Sequence, residues 1–315
     1  DALIMSDPGL IMLIRENYPD MPIHLSVQSN AINWATVKFW QQQGIERVIL
    51  SRELSLDEIE EIKQKVPEME LEVFVHGALC MAYSGRCLLS GYINKRDPNQ
   101  GTCTNSCRWK YDVHSATETI EGDVVALAPK QPPIDDIVLL QEQGRPGEYM
   151  PAFEDEHGTY IMNSKDLRAI EHVERLVKIG VHSLKIEGRT KSFYYCARTA
   201  QAYRKAIDDA VHGEVFSPEL TKSLEHLAHR GYTEGFLRRH RHEETQNYEY
   251  GYSKSDSQQF VGEISGQDPE TGLFEVQVKN KFLTGDKLEL MTPQGNQTFT
   301  LELMKNKPGD RRAHV

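Results

Sequence analysis

The chain has 315 residues, with 36 lysines and arginines against 47 aspartates and glutamates, a formal charge of −11. With 39% hydrophobic and 26% charged residues it has the composition of an ordinary globular protein. Its acidity argues against a general nucleic-acid binder, whose affinity rests on many phosphate contacts. No stretch reaches the length of a membrane span, and the N-terminal DALIMSDPGL lacks the basic region of a signal peptide. These features set the expectation of a cytoplasmic protein without membrane association.

Short apolar runs alternate with amphipathic ones along the first half. ALIM (2–5) reads as a strand, with a helix around Leu10–Asn17 after it. IHLSV (23–27) is a strand before the helix 33–44, RVILS (47–51) a strand before the helix 54–66, and LEVFV (71–75) a strand leading into a cysteine-rich segment. Near-continuous apolar strands separated by helices predict a parallel sheet covered by helices. Residues 113–147 read as an irregular polar excursion. The pattern resumes with EYMPAF, the turn EDEHG, the strand TYIMN (159–163) and a helix over 164–180, with Ser164 as N-cap and Gly180 closing it. The strand SLKIEG (183–188) and the helix 191–211 form the last unit.

The predicted fold class is therefore α/β: a TIM-type (β/α)8 barrel, which needs eight strand–helix units. Only six are readable, and the chain begins with Asp1 inside a predicted strand, so the first two units are expected to be absent from this sequence. An open doubly wound sheet is the alternative, but no G-x-G-x-x-G loop follows any strand. From Phe260 the apolar period becomes two: FVGEI, LFEVQV, DKLELM and FTLELM predict a small C-terminal all-β domain. The expected division is a barrel domain over 1–213 with a Cys-rich insertion at 76–112, a helical linker over 214–257, and a small β-barrel over 258–315.

Four of the five cysteines fall in that insertion: Cys80 and Cys87, then Cys103 and Cys107. Thiolates are the usual protein ligands of soft metals and iron–sulfur clusters, and four in one local segment can close around a common centre. The spacing, C-x6-C, fifteen residues, then C-x3-C, matches neither the zinc-ribbon pair nor the bacterial ferredoxin run, so it leaves zinc and a cluster both open. A cysteine nucleophile with His76 as base would explain one of these residues and not four.

In a strand–helix barrel the working residues project from C-terminal strand ends. Those ends carry Gln28 and Asn30, Arg52 and Glu53, His76, Asn163 and Lys165, then Lys185, Glu187 and Arg189. Each also has a plain reading as a helix cap or solvated loop residue. Lys185 and Arg189 share a strand face by alternation and would suit a dicarboxylate or phosphate. The EDEHG cluster (154–158) reads as a solvated hairpin turn before a cation site, Cys196 as a structural thiol, and the basic run 238–242 as surface.

EVFVHGALCMAYSGRCLLS (72–90) resembles the signature of peptidase family U32. The resemblance continues through GYINKRDPNQGTCTNSCRW, RPGEYMPAFEDEHGTYIMNSKDL, HSLKIEGRTKSFYYCARTAQAYRKAID and LAHRGYTEGFLRRH, and covers nearly the whole chain. It implies a barrel with two further N-terminal units. Members of one subgroup use prephenate to hydroxylate the wobble uridine of tRNA to 5-hydroxyuridine, and sister members carry 4Fe–4S clusters on cysteines. The resemblance then implies a tRNA uridine hydroxylase. Cys80, Cys87, Cys103 and Cys107 would hold a 4Fe–4S cluster, with zinc as the alternative. Arg189, Lys185, Glu187 and His76 are the catalytic candidates, prephenate is the hydroxyl donor, and the tRNA anticodon region is the partner, with an electron-transfer protein as a further one. The alternatives are a collagenase-like peptidase, as the family's name suggests, and a zinc-stapled RNA- or protein-binding module.

Overall fold

The computed structural model describes residues 1–79, 83–84, 87, 90, 95–96, 102–104, 116–118, 124–126, 138–140, 150–155, 158–160, 165–188, 191–229, 231–238, 258–269, 271–293 and 295–305. The chain divides into two compact units, residues 1–254 and 255–315. In the first, β1 (Leu3–Met5), β2 (Ile23–Leu25), β3 (Arg47–Ile49) and β4 (Glu70–Gly77) lie side by side and parallel, in chain order. The helices α1 (Pro8–Asn17), α2 (Trp34–Gln42) and α3 (Leu56–Lys65) alternate with them. After β5 to β9 of the excursion, described below, come β10 (Asp166–Arg168), β11 (Ser183–Glu187) and β12 (Tyr232–Thr233). β11 continues the parallel series along β4.

Local chemistry starts the first three helices. Asp7 caps α1 by accepting from Leu10 N at 2.8 Å, with Pro8 at the first helical position, and Asn33 accepts from Thr36 N. Ser55 and Glu58 form a reciprocal capping box on α3. α4 (Val173–Ile179) and α5 (Phe193–His212) both end at a glycine in the left-handed region, Gly180 and Gly213. Apolar side chains of the sheet, among them Ile23, Leu25, Val48, Leu71, Val73 and Val75, pack against α-helical Val37, Ile59, Ile62, Leu176, Tyr195 and Tyr203 in one core. Leu224 of α6 (Pro218–Glu225), Leu227 and Leu237 are buried in that same core. Among the described residues, no helix is long and apolar enough to cross a membrane.

β4 organises the sheet. β3 pairs with Glu70–Glu72, and β11 runs along Glu72–Gly77 on the other edge. Beyond the reach of β3, antiparallel β10 takes up His76 and Gly77 and pairs in turn with β12. The register against β11 slips between Lys185, opposite Phe74, and Ile186, opposite His76. Val75 is the extra residue of a β-bulge, and a bulge re-aims the side chains that follow it. The expected helix over 164–180 is corrected: it opens with β10 and a 3-10 turn (Ile170–His172), and α-helix is confined to Val173–Ile179. Pairing with the free end of β4 outweighs helix propensity over Asp166–Arg168.

The excursion at 113–147 is also more ordered than expected. It contains β5 (Ala116–Glu118) paired with β6 (Val124–Ala126), and β7 (Val138–Leu140), which pairs with β8 (Met150–Asp155). β8 forms a hairpin with β9 (Gly158–Tyr160). The second unit contains two antiparallel hairpins, β13 (Gly262–Gln267) with β14 (Phe274–Val278), and β15 (Lys287–Thr292) with β16 (Gly295–Thr300). The last strand lies over GNQTFT, earlier than the FTLELM run suggests, because its register against β15 starts at Thr292 opposite Gly295.

Candidate functional site at the strand ends

The chain just past β2 and β3 holds Ser84 of the cysteine segment. After β2 the chain makes a 3-10 turn over Val27–Ser29 and reaches Asn30, whose φ of 50° lies in the left-handed region that Asn tolerates better than most residues. Asn30 Nδ2 donates to Ser84 O at 2.7 Å and to Gln28 O at 3.3 Å. Ser84 N in turn donates to Glu53 Oε1 at 3.3 Å. Ser84, which is buried, sits between Cys80 and Cys87, so both polar groups of its main chain are tied to the C-terminal ends of neighbouring parallel strands. Among the described residues, the remaining atoms Asn30 Oδ1 and Glu53 Oε2 are buried without a hydrogen-bond partner, as is Ser51 Oγ.

A second tie lies within the segment. Ser90, three residues past Cys87 and 1% exposed, shares a 3.0 Å hydrogen bond with Thr104 Oγ1 and accepts from Thr104 N at 3.2 Å. Thr104 directly follows Cys103. Cys87 and Cys103 are both half-buried. Cys80, Cys107 and Arg189, three of the predicted site residues, lie outside the described residues, as does Asn163. Among the described residues, no group of three His, Cys, Asp or Glu side chains could hold a metal ion.

Arg52 and Glu187 form an ion pair from the end of β3 to the end of β11. The Arg52 guanidinium also lies 3.6 Å from the Phe74 ring centre, a cation–π contact that fixes its plane. Lys185 Nζ is 5.4 Å from the same ring and donates to Glu72 Oε1 at 2.9 Å. Glu72 also faces Arg47, the first residue of β3, at 3.7 Å, and Arg47 holds Glu70 at 2.6 Å. The Arg47 hydrogen bond keeps the Glu70 carboxyl below its usual range. Lys185 thus reaches toward the strand beginnings, while Glu187 and Arg52 stay at the strand ends. Lys165 lines the close approach of Gly231.

His76 is the correction to the expected rim. The bulge turns it away from Phe74 and into an aromatic cage of Tyr195, Tyr203 and Tyr232, with ring centres 5.4 to 5.5 Å away. It is 1% exposed, and burial pushes its pKa down to about 3. Tyr203 Oη donates to Val75 O at 2.7 Å and accepts from Ala169 N at 3.1 Å. With that hydroxyl proton committed, His76 Nδ1 is the donor in its 3.3 Å contact with Tyr203 Oη. Nε2 is then a buried lone pair without a partner among the described residues. Burial also raises the pKa of all three tyrosines, so the cage is uncharged. Beside it, Lys191 Nζ holds the fully buried Asp166 at 2.7 Å and stands 4.8 Å over the Tyr195 ring.

The other candidates resolve simply. Of EDEHG, Glu154 and Asp155 belong to β8 and Gly158 to β9, with Asp155 opposite Gly158, and 156–157 lie outside the described residues. Of the basic run, Arg238 pairs with Glu234, and 239–242 lie outside the described residues. Cys196 is half-buried against the core with its thiol 3.7 Å from Gly188 O. Ser84, Ser90, Thr104 and Phe74 escape sequence reasoning: Ser84 serves through its main chain, Ser90 and Thr104 through hydrogen bonds that small polar residues make anywhere, and Phe74 reads as ordinary strand core. The one usable signal is that Ser84, Ser90 and Thr104 all lie inside the cysteine segment.

Residues 1–247 match the family model described as peptidase family U32, and residues 256–313 match its C-terminal domain model. The chain is 70% identical to tRNA hydroxylation protein P of Escherichia coli (strain K12) over 322 aligned residues, covering 98% of this chain and 71% of that protein. Its identity to the Haemophilus influenzae protein of the same name is 66%, with the same coverage of both chains. The 23S rRNA 5-hydroxycytidine C2501 synthase of Escherichia coli is 29% identical over 246 residues, 75% of this chain and 32% of that protein. No solved structure matches the chain.

Proposed function

The chain belongs to peptidase family U32, and on that footing we propose that it is a tRNA hydroxylase, converting the wobble uridine of the anticodon to 5-hydroxyuridine with prephenate as hydroxyl donor. The observation that carries this reading is the 70% identity, over nearly the whole chain, to a protein named for tRNA hydroxylation. The more distant similarity to an rRNA hydroxycytidine synthase supports pyrimidine hydroxylation as the shared chemistry.

The finer assignments follow the chemistry of the residues. Cys80, Cys87, Cys103 and Cys107 would hold a 4Fe–4S cluster; the Ser90–Thr104 tie, which brings the stretch after Cys87 to the residue after Cys103, supports that donor set. When bound, such a cluster supplies one-electron redox chemistry. Arg189 would meet the carboxylates of prephenate, with Arg52 held in place between Glu187 and Phe74; Lys185 would join them only by leaving Glu72. A single-stranded or flipped uridine, as in an anticodon loop, would enter at the strand ends. The parallel series β1-β2-β3-β4-β11 supports a (β/α)8 barrel as the full architecture.

The peptidase alternative would need His76 as the base for a cysteine nucleophile. Its enclosure by three tyrosines disfavours that role. The test is mass spectrometry of tRNA nucleosides from cells lacking the gene. Loss of 5-hydroxyuridine and its derivatives, restored by the gene, is expected; an unchanged level overturns the reading.

A further inference from the structure

We propose that Arg52 binds a carboxylate of the small-molecule substrate, and that Glu187 is an internal stand-in which that carboxylate displaces. The inference rests on the donor reading above and deepens it by naming the residue that meets the donor.

Alternation puts Arg47 and Ile49 of β3, Glu72 and Phe74 of β4, and Lys185 and Glu187 of β11 on one face of the sheet. Ile49 and Phe74 pack with Leu79, Leu167 and Val27 in a small core of their own, apart from the one that the helices cover. This is therefore the face turned away from the helices. Arg52 leaves the end of β3 and lies over Phe74, its guanidinium 3.6 Å from the ring centre, to meet Glu187 of β11 beyond it. The three strands are already joined, since β4 pairs with β3 on one side and with β11 on the other. The ion pair closes no gap in the sheet, and it stands at the C-terminal strand ends, where α/β folds place their ligands.

Arg52 has the properties of an anion receptor built in advance. Its side chain is nine-tenths buried and flat on an aromatic ring. Nε is buried without a hydrogen-bond partner among the described residues, which leaves donor capacity unused. Glu187 is the more open member of the pair, at 24% exposed against 10%, so a ligand reaches it first. Its main chain is paired with Gly77, and its side chain can turn aside without disturbing the strand. An incoming carboxylate then replaces one already present, on a guanidinium that was desolvated before the ligand arrived. Lys185 lies on the same face, 5.4 Å from the same ring, but its partner Glu72 is only 11% exposed and offers no such exchange.

The experiment is calorimetric titration of the full chain with prephenate, and with phenylpyruvate, which keeps a six-membered ring and one carboxylate. If Glu187 occupies Arg52 about nine-tenths of the time, it weakens apparent binding about tenfold. Glu187→Gln is therefore expected to tighten binding about 10-fold. Arg52→Met is expected to weaken it by at least about 10-fold, and in that background Glu187→Gln is expected to give no gain. Glu70→Gln, an equal change of charge at the strand beginnings, is expected to bind as the parent does. Melting temperature identifies a variant that fails to fold. A gain of affinity cannot come from misfolding, so Glu187→Gln tests the inference even if Arg52→Met does not fold. Unchanged or weaker binding by Glu187→Gln overturns the proposal. So does a gain that survives Arg52→Met, an equal gain in Glu70→Gln, or no binding of either acid by parent and Glu187→Gln. The full pattern with phenylpyruvate and none with prephenate leaves this inference standing and removes prephenate as the donor. The full pattern alongside unchanged 5-hydroxyuridine in cells lacking the gene removes the hydroxylase reading alone.

Discussion

His76 Nδ1 lies 3.3 Å from the Tyr203 hydroxyl, which itself joins Val75 O of β4 to Ala169 N beside β10. One tyrosine thereby fixes a histidine tautomer and closes the junction between two strands. Its removal as Tyr203→Phe leaves His76 Nδ1 without a partner, at an expected cost of about 1–3 kcal/mol. Urea unfolding of the parent and variant checks this.

The same histidine gives a pH signature. Its folded pKa, about 3, lies below its ordinary value near 6.5, so the unfolded chain takes up the proton first as pH falls. Its contribution is complete above the ordinary value and is lost progressively as pH falls toward the folded one. Between pH 7 and pH 5 this amounts to roughly 2 kcal/mol. His76→Phe, which keeps the ring and removes the titrating group, should flatten the fall. Denaturant midpoints at the two pH values distinguish the outcomes; equal slopes would discard this reading.

Gly77 has a φ of +106°, and a Cβ built there falls 2.0 Å from Glu187 O. The obstacle is backbone of the neighbouring strand, which cannot swing away as a side chain can. Gly77→Ala is therefore expected to cost more than about 4 kcal/mol, in the range reserved for a named steric conflict. Expression yield and thermal melting are the measurements.

Lys191 and Asp166 are a buried ion pair, with Asp166 fully enclosed. Lys191→Met strands the carboxylate and should destabilise by about 3–5 kcal/mol, whereas Asp166→Asn combined with Lys191→Met should recover part of that loss. A double-mutant cycle in urea measures the coupling; simple additivity would show that the pair is not energetically linked.

Arg52 gives the functional prediction. Lysine keeps the charge but not the planar group that lies on Phe74 while meeting Glu187. Arg52→Lys should lower tRNA 5-hydroxyuridine in complemented cells by roughly tenfold, the kinetic equivalent of one charge-assisted contact. Nucleoside mass spectrometry at matched protein level is the check.

The parallel strands were legible because burial on both faces leaves apolar runs such as VIL and LEVFV, and the helices because capping residues such as Asp7, Asn33 and Ser55 precede amphipathic stretches. β10 was not legible. Three residues with one apolar member carry no period, and their strand state comes from the open end of β4, a partner far away in sequence. His76 was misplaced for a related reason: alternation assigns a residue's face only while the register holds, and the slip at Val75 is set by β11. At the candidate site, residue type singles out the cysteines, and position at a strand end singles out Arg52 and Glu187. Ser84 carries no such signal, since it takes part through main-chain atoms that every residue possesses.

That last point bears on how the molecule can change. Position 84 contributes a carbonyl and an amide, so almost any amino acid except proline can stand there with the attachment intact. Positions 30 and 53 have no such latitude, since reach, shape and the kind of polar atom are all fixed by the fragment they clasp. Within one local arrangement, the residue that is held can drift while those that hold it cannot.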